Sequence, residues 1–107
     1  MAELISSKSW RKKYKSNGYI IDFMDPEKTL GNGMKKTIVI KPERKIDELF
    51  WPAIQFYPDD PESLENANLS FTRRGFSFHQ IDKVMEGLEN LKMAIDTALE
   101  LNKTVWD

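Results

Sequence analysis

The chain has 107 residues, with 16 Lys+Arg against 17 Asp+Glu, one His and no Cys. That length supports a single domain with one modest core, and 40% hydrophobic residues with 11% aromatics argue against wholesale disorder. The absence of Cys excludes disulfides, thiolate catalysis and cysteine zinc sites. No apolar run approaches the ~18 residues that a membrane-spanning helix needs. The polar, basic N-terminal stretch does not read as a secretory signal, so the expected location is the cytosol, or the nucleus in a eukaryote.

The net charge of −1 hides a split. Residues 1–45 hold eleven basic and five acidic side chains, a balance of +6, whereas residues 46–107 hold five and twelve, a balance of −7. Such asymmetry fits a polyanion-facing part joined to a solvated or partner-facing part, and equally fits ordinary surface scatter.

Residues 1–17 form a basic-aromatic arm or strand. Trp10-Arg11-Lys12-Lys13-Tyr14-Lys15 interleaves two aromatics with four cations, the composition that holds single-stranded nucleic acid. Cations follow the phosphates and rings stack on bases, at about 1–3 kcal/mol per stack. From Gly18 the hydrophobic period is two. Gly18–Phe23 predicts a strand with Tyr19, Ile21 and Phe23 on one face, ended by Asp25-Pro26. Gly31-Asn32-Gly33 predicts a turn, and Thr37–Lys41 a second strand stopped by Pro42. Ala53–Tyr57 predicts a third, with Ile54 and Phe56 toward the core and Tyr57 outward. Leu69–Phe78 alternates as a fourth strand, bent or split at Arg73-Arg74-Gly75.

Gln80–Leu101 then shows the i, i+3, i+4, i+7 pattern of an amphipathic helix, capped by His79 or Ser77 and carrying Asp82 in its first turn. At 1.5 Å per residue it would run roughly 33 Å, longer than a small sheet covers. Val84, Leu88, Leu91 and Ile95 are therefore candidates for a homodimer interface. The residues after 101 form a short tail, with Trp106 either packed or docking a partner. The expected fold is α+β: a curved four-stranded antiparallel sheet followed by the long helix, within residues 18–101.

Catalysis has little support. There is no phosphate-binding glycine loop, no GxSxG and no metal-spaced His pair, and no cofactor is implied. Asp59, Asp60 and Glu62 read as a solvated turn more readily than as a divalent-cation site. Beyond the N-terminal arm, Lys35, Lys36, Lys41, Arg44, Tyr57, Arg73 and Arg74 complete the candidate nucleic-acid contacts.

The run Thr72-Arg73-Arg74-Gly75-Phe76-Ser77-Phe78, leading into Gln80-Ile81-Asp82, resembles the transcriptional coactivator positive cofactor four family, whose Thr-x-Lys/Arg-Gly-Ile-Ser-Leu run enters a long terminal helix. Ala53–Tyr57 is similar to that family's preceding strand, and Ala94–Ala98 to the end of its helix. The resemblance covers roughly residues 36–101 and is strongest over 72–99. It implies a homodimer joined through the helices, whose sheets present a basic, aromatic-bearing face to single-stranded DNA. Arg73 and Arg74 match the family's basic pair, Tyr57 its third-strand aromatic, and Lys41 or Arg44 its second-strand cation. Gln55 stands where the family has Arg, the acidic loop 58–68 is longer than usual, and Lys83-Val84 replaces an early helix Trp. This points to a diverged member, from a bacterium or its phage. The expected role is sequence-independent single-stranded DNA binding in replication, recombination or transcription, with a replication or transcription protein as a further partner. Open alternatives are an RNA-binding protein and an interaction module that docks a polymerase or repair factor.

Overall fold

A computed structural model describes residues 2–31 and 33–107. The turn expected at Gly31-Asn32-Gly33 includes Asn32, which lies outside the described residues. The chain is α+β. Strands β1 (Glu3–Lys8), β2 (Arg11–Ser16), β3 (Tyr19–Met24), β4 (Thr37–Pro42) and β5 (Ile54–Phe56) form one antiparallel sheet in sequence order. A short helix α1 (Glu27–Leu30) follows β3, α2 (Pro61–Glu65) follows β5, and the long helix α3 (Ile81–Leu101) comes last.

The sheet has five strands, not four, and differs from expectation at both ends. At the start, the basic arm is a hairpin, β1–β2, joined to β3 through Asn17-Gly18. Both turn residues have positive φ (54° and 75°), the conformation that an Asn-Gly hairpin turn supplies and that matches strand twist. At the other end, Leu69–Phe78 is not a strand. It touches the sheet through one bridge, Ala53 to Ser70, and then bends away. The bend is held by ring contacts: Phe71 packs edge-on to Phe76 at 5.5 Å, Phe50 lies 6.3 Å from Phe76, and Arg73 sits over Phe50 and Phe76.

The cross-strand register assigns every residue a face. On the inner face the rows are Leu4–Tyr14–Ile21–Ile40–Ile54 and Ser7–Lys12–Phe23–Ile38–Phe56, with Tyr19 beside Pro42 and Ser16. Tyr19, Ile21, Phe23, Ile38, Ile40, Ile54 and Phe56 are buried here, under Leu91, Ala94 and Ala98 of α3. Trp51 seats the helix. Its indole stacks on Tyr19 (5.6 Å, 16° between planes) and fills the space above Gly87, where a Cβ would fall 2.4 Å from Trp51 Cδ1. No side chain larger than hydrogen fits there without moving the helix.

Helix α3 enters through a 3₁₀ turn, Phe78–Gln80, in which the Ser77 N–H donates to Gln80 Oε1 at 2.8 Å. Asp82 lies in its first turn. Only the later part of the helix is buried. Phe78 (89% exposed), Ile81, Met85 and Leu88 lie open. The tail does not extend freely: Val105 is buried and Trp106 packs edge-on against Phe23 at 5.7 Å, with its Nε1–H donating to Asn102 Oδ1.

Tyr19 donates its hydroxyl to the Pro52 carbonyl at 2.7 Å. Burial, and secondarily the negative charge of Asp47, push its phenol well above the ordinary value of 10.0. The unfolded chain therefore loses this proton first, and folding stability should fall as pH rises above 10.0, by up to about 1.4 kcal/mol per pH unit. Tyr19→Phe should flatten that slope in chemical-denaturation curves, while lowering neutral-pH stability by about 1–3 kcal/mol because the Pro52 carbonyl loses its donor. An unchanged alkaline slope in Tyr19→Phe would contradict this assignment.

Candidate nucleic-acid interface

The opposite, outer face carries a different set of residues. Its rows are Glu3–Lys15–Ile20–Lys41, Ser6–Lys13–Asp22–Val39–Gln55 and Lys8–Arg11–Met24–Thr37. Neither α2 nor α3 packs on it, since Leu64 and the buried residues of α3 join the inner core. Ile20, Met24 and Val39 are half-buried. Ile20 lies between Lys15 and Lys41, whose stems can cover it while their heads stay in water, Met24 lies beside Arg11, and Val39 lies between Asp22 and Gln55. The face is thus a shallow aliphatic floor fringed with cations.

Those cations are not equivalent. Arg11 is committed to Asp22: its Nε donates to both carboxylate oxygens, at 3.0 and 3.2 Å, and Nη2 closes the fork. The Asp22 side chain is only 4% exposed, so the pair satisfies a carboxylate inside the sheet surface, and its hydrogen bonds hold the guanidinium above its ordinary pKa. Lys15 is shared between Glu43 (3.1 Å) and Glu3 (3.7 Å). Lys13 and Lys41 have no carboxylate partner among the described residues. Lys8 lies over the Trp10 ring at 5.9 Å, and Arg11 reaches the same ring at 5.8 Å.

Several candidate residues fall elsewhere. Tyr14 and Lys12 point to the inner face, because alternation along β2 places them opposite Arg11, Lys13 and Lys15. Tyr14 packs edge-on to Phe23 at 5.7 Å, so it is a core ring and not a stacking platform. Lys12 donates to the Val105 carbonyl at 2.7 Å. Arg44 forms a two-point ion pair with the buried Asp47 (2.9 and 3.1 Å), which fixes the turn before Trp51. Lys36 lies over Trp106 at 5.3 Å.

Tyr57 is exposed, as expected, with Lys35 over its ring at 5.4 Å. Asp25, Glu27, Asp59 and Asp60 line the same hollow, so the acidic loop after β5 borders this aromatic. Arg73 and Arg74 are exposed but lie beyond β5, on the far side of the sheet from β2. Four inter-strand spacings of about 4.8 Å, roughly 19 Å, separate those lines of chain. The basic residues therefore form an outer-face group and two outlying groups, not one continuous patch.

Of the helix positions, Leu91 is enclosed by the chain's own core and Ile95 packs against it. Val84 is half-buried and Leu88 is open. Ile81, Met85 and Phe78 extend the open apolar surface toward the start of the helix. Sequence reasoning passed over them because the stripe alone does not reveal where the sheet ends. Among the described residues no cluster of acids and His is placed to hold a metal ion, and no helix is long and apolar enough to cross a membrane. No protein-family model matches this chain, and neither the curated proteins nor the solved structures compared with it contain a match.

The Arg11–Asp22 pair yields a separable expectation. Arg11→Ala leaves a nearly enclosed carboxylate without its donor and should cost about 2–3 kcal/mol by urea unfolding. Adding Asp22→Asn should restore at least about half of that loss, since the stranded charge is gone. A double variant no more stable than Arg11→Ala would show that the pair is not the source of the loss.

Proposed function

We propose that this chain binds single-stranded DNA with little sequence preference, through the outer face of its sheet, as a diverged protein of the positive cofactor four type. The observation that carries the reading is the segregation of faces: one carries the core over β3 to β5, and the other presents Lys8, Lys13 and Lys41 around Ile20, Met24 and Val39. Flexible lysine ammonium groups neutralise phosphates without reading bases, so affinity would come chiefly from counterion release. The aliphatic floor accepts sugars and base faces. Trp10 and Tyr57, at the borders of the face, supply the rings on which unpaired bases stack. Duplex DNA, with its bases already stacked, gains nothing from that floor. Roles in replication, recombination or transcription follow from strand protection.

We also infer a homodimer in which Ile81, Met85 and Leu88 of α3, with Phe78, meet their counterparts. Four large apolar side chains standing open along one end of a helix form the kind of patch that a monomer rarely leaves in water.

Labelled oligo(dT) should bind more tightly than a matched duplex, and its affinity should fall as salt rises. Lys13→Glu with Lys41→Glu should weaken oligo(dT) binding by about tenfold or more and flatten the salt slope. Equal binding of duplex, or an unchanged slope in that variant, would overturn the reading. Leu88→Glu should shift the chain from dimer to monomer in sedimentation velocity, and a variant that remains dimeric would remove this end of α3 from the interface.

A further inference from the structure

At the end of the sheet formed by the β1–β2 turn, a cleft of about 430 Å³ opens between that turn and residues 105–107. This volume falls within the range of small-molecule sites, about 300–1,000 Å³. Two indoles, Trp10 and Trp106, stand in its lining, with Phe23 at its base. Lys8, Lys12 and Lys28 line it too. Lys12 donates to the Val105 carbonyl at 2.7 Å, and Lys28 to the Trp106 carbonyl at 3.2 Å. An ammonium has three protons to donate, so both keep donors to spare. Lys12 also donates to a main-chain oxygen of Asp107 at 3.5 Å, and no Asp or Glu side chain lies within ion-pair distance of the three lysines among the described residues. Arg11 also lines the cleft but is held by Asp22, so the three lysines face Asp25 and Asp107.

We propose that this cleft is a nucleoside-monophosphate site. The base lies on the Trp10 indole in place of the Lys8 ammonium, and Lys12 and Lys28 hold the phosphate. The chemistry on each side is complementary. An electron-rich indole face now covered by cations accepts a flat heteroaromatic ring. Lys28, whose present partner is the neutral Trp106 carbonyl, gains more from an anionic oxygen, and Lys12 keeps one donor beyond the main-chain oxygens of Val105 and Asp107. The small excess of cations over acids suits one phosphate. The tail is then a wall of the site, with Trp106 fixed by Phe23 and Asn102. This goes beyond binding along the sheet face, with which the cleft shares Lys8 and Trp10. The ligand is either a free mononucleotide or the phosphorylated end of a strand lying on that face.

The test is tryptophan fluorescence of the full chain titrated with dAMP, deoxyadenosine and inorganic phosphate. The buried Trp51 serves as the unresponsive background. The expected result is saturable quenching by dAMP, about tenfold or more tighter than by deoxyadenosine or phosphate alone. Trp10→Ala should weaken dAMP by about tenfold, while Trp10→Phe, which keeps a ring and guards against a folding artefact, should cost less than about threefold. Lys12→Gln with Lys28→Gln should weaken dAMP and leave deoxyadenosine unchanged. A 5′-phosphate that tightens oligo(dT) would assign the site to strand ends, and dAMP binding without that gain would assign it to free nucleotide. Absence of saturable quenching, equal affinity for dAMP and deoxyadenosine, or indifference to Trp10→Ala would overturn the proposal. The Lys13→Glu, Lys41→Glu variant separates the two sites: it should bind dAMP normally whatever happens to oligo(dT).

Discussion

The seating of α3 on the sheet through Trp51 and Gly87 is the constraint on which the rest of the molecule depends. The indole occupies the space that any side chain at position 87 would need and lies close to Gly18 as well, and it stacks on the ring of Tyr19. Once the helix is fixed there, the inner rows of β2 to β5 become core. Leu91, Ala94 and Ala98 cover them, and their small or aliphatic shapes bring the helix close. Every second residue of those strands must then face outward, and on β2 those residues are Arg11, Lys13 and Lys15. The basic face is thus a geometric consequence of where the hydrophobic face had to go.

The same constraint leaves the start of α3 uncovered. The helix has 21 residues, about 31 Å at 1.5 Å per residue, and its buried positions run only from Gly87 to Ala98. Before Gly87, Ile81 and Met85 stand in the open and Val84 is half-buried. The segment from Leu69 to His79 that leads to them is exposed almost throughout. The self-association proposed there would not cover the outer face proposed for strand binding, so neither needs to exclude the other.

Much of the fold was legible in the sequence because it rests on period. Tyr19, Ile21 and Phe23 at spacing two, and the 3.6-residue stripe of α3, signal burial directly, and both lie where they were expected. The N-terminal hairpin was legible only in part. β1 is polar and mostly exposed and β2 is lysine-rich, so hydrophobic alternation is faint in both, and the hairpin signal of Asn17-Gly18 marks only the next turn, between β2 and β3. Leu69–Phe78 misled for the opposite reason. Its alternation is clear, but Phe71 and Phe76 satisfy each other and Arg73 locally, without a ladder. The site was harder to read, because charge says nothing about pairing. Arg11 and Arg44 look like free cations in the sequence, and in space each is held by a buried aspartate 11 or three residues away. The cleft beside Trp10 joins residues nearly a hundred positions apart, which no local pattern reveals.

The division of labour between the two faces is most directly tested by mapping amide and side-chain chemical shifts while oligo(dT) is added. Shifts should cluster on the outer rows, at Lys13, Ile20, Val39 and Lys41, and spread to Trp10 and Lys8, while Ile21, Ile40 and Ala94 stay unmoved. Perturbations centred on the inner rows or on α3, with the outer lysines silent, would contradict the account.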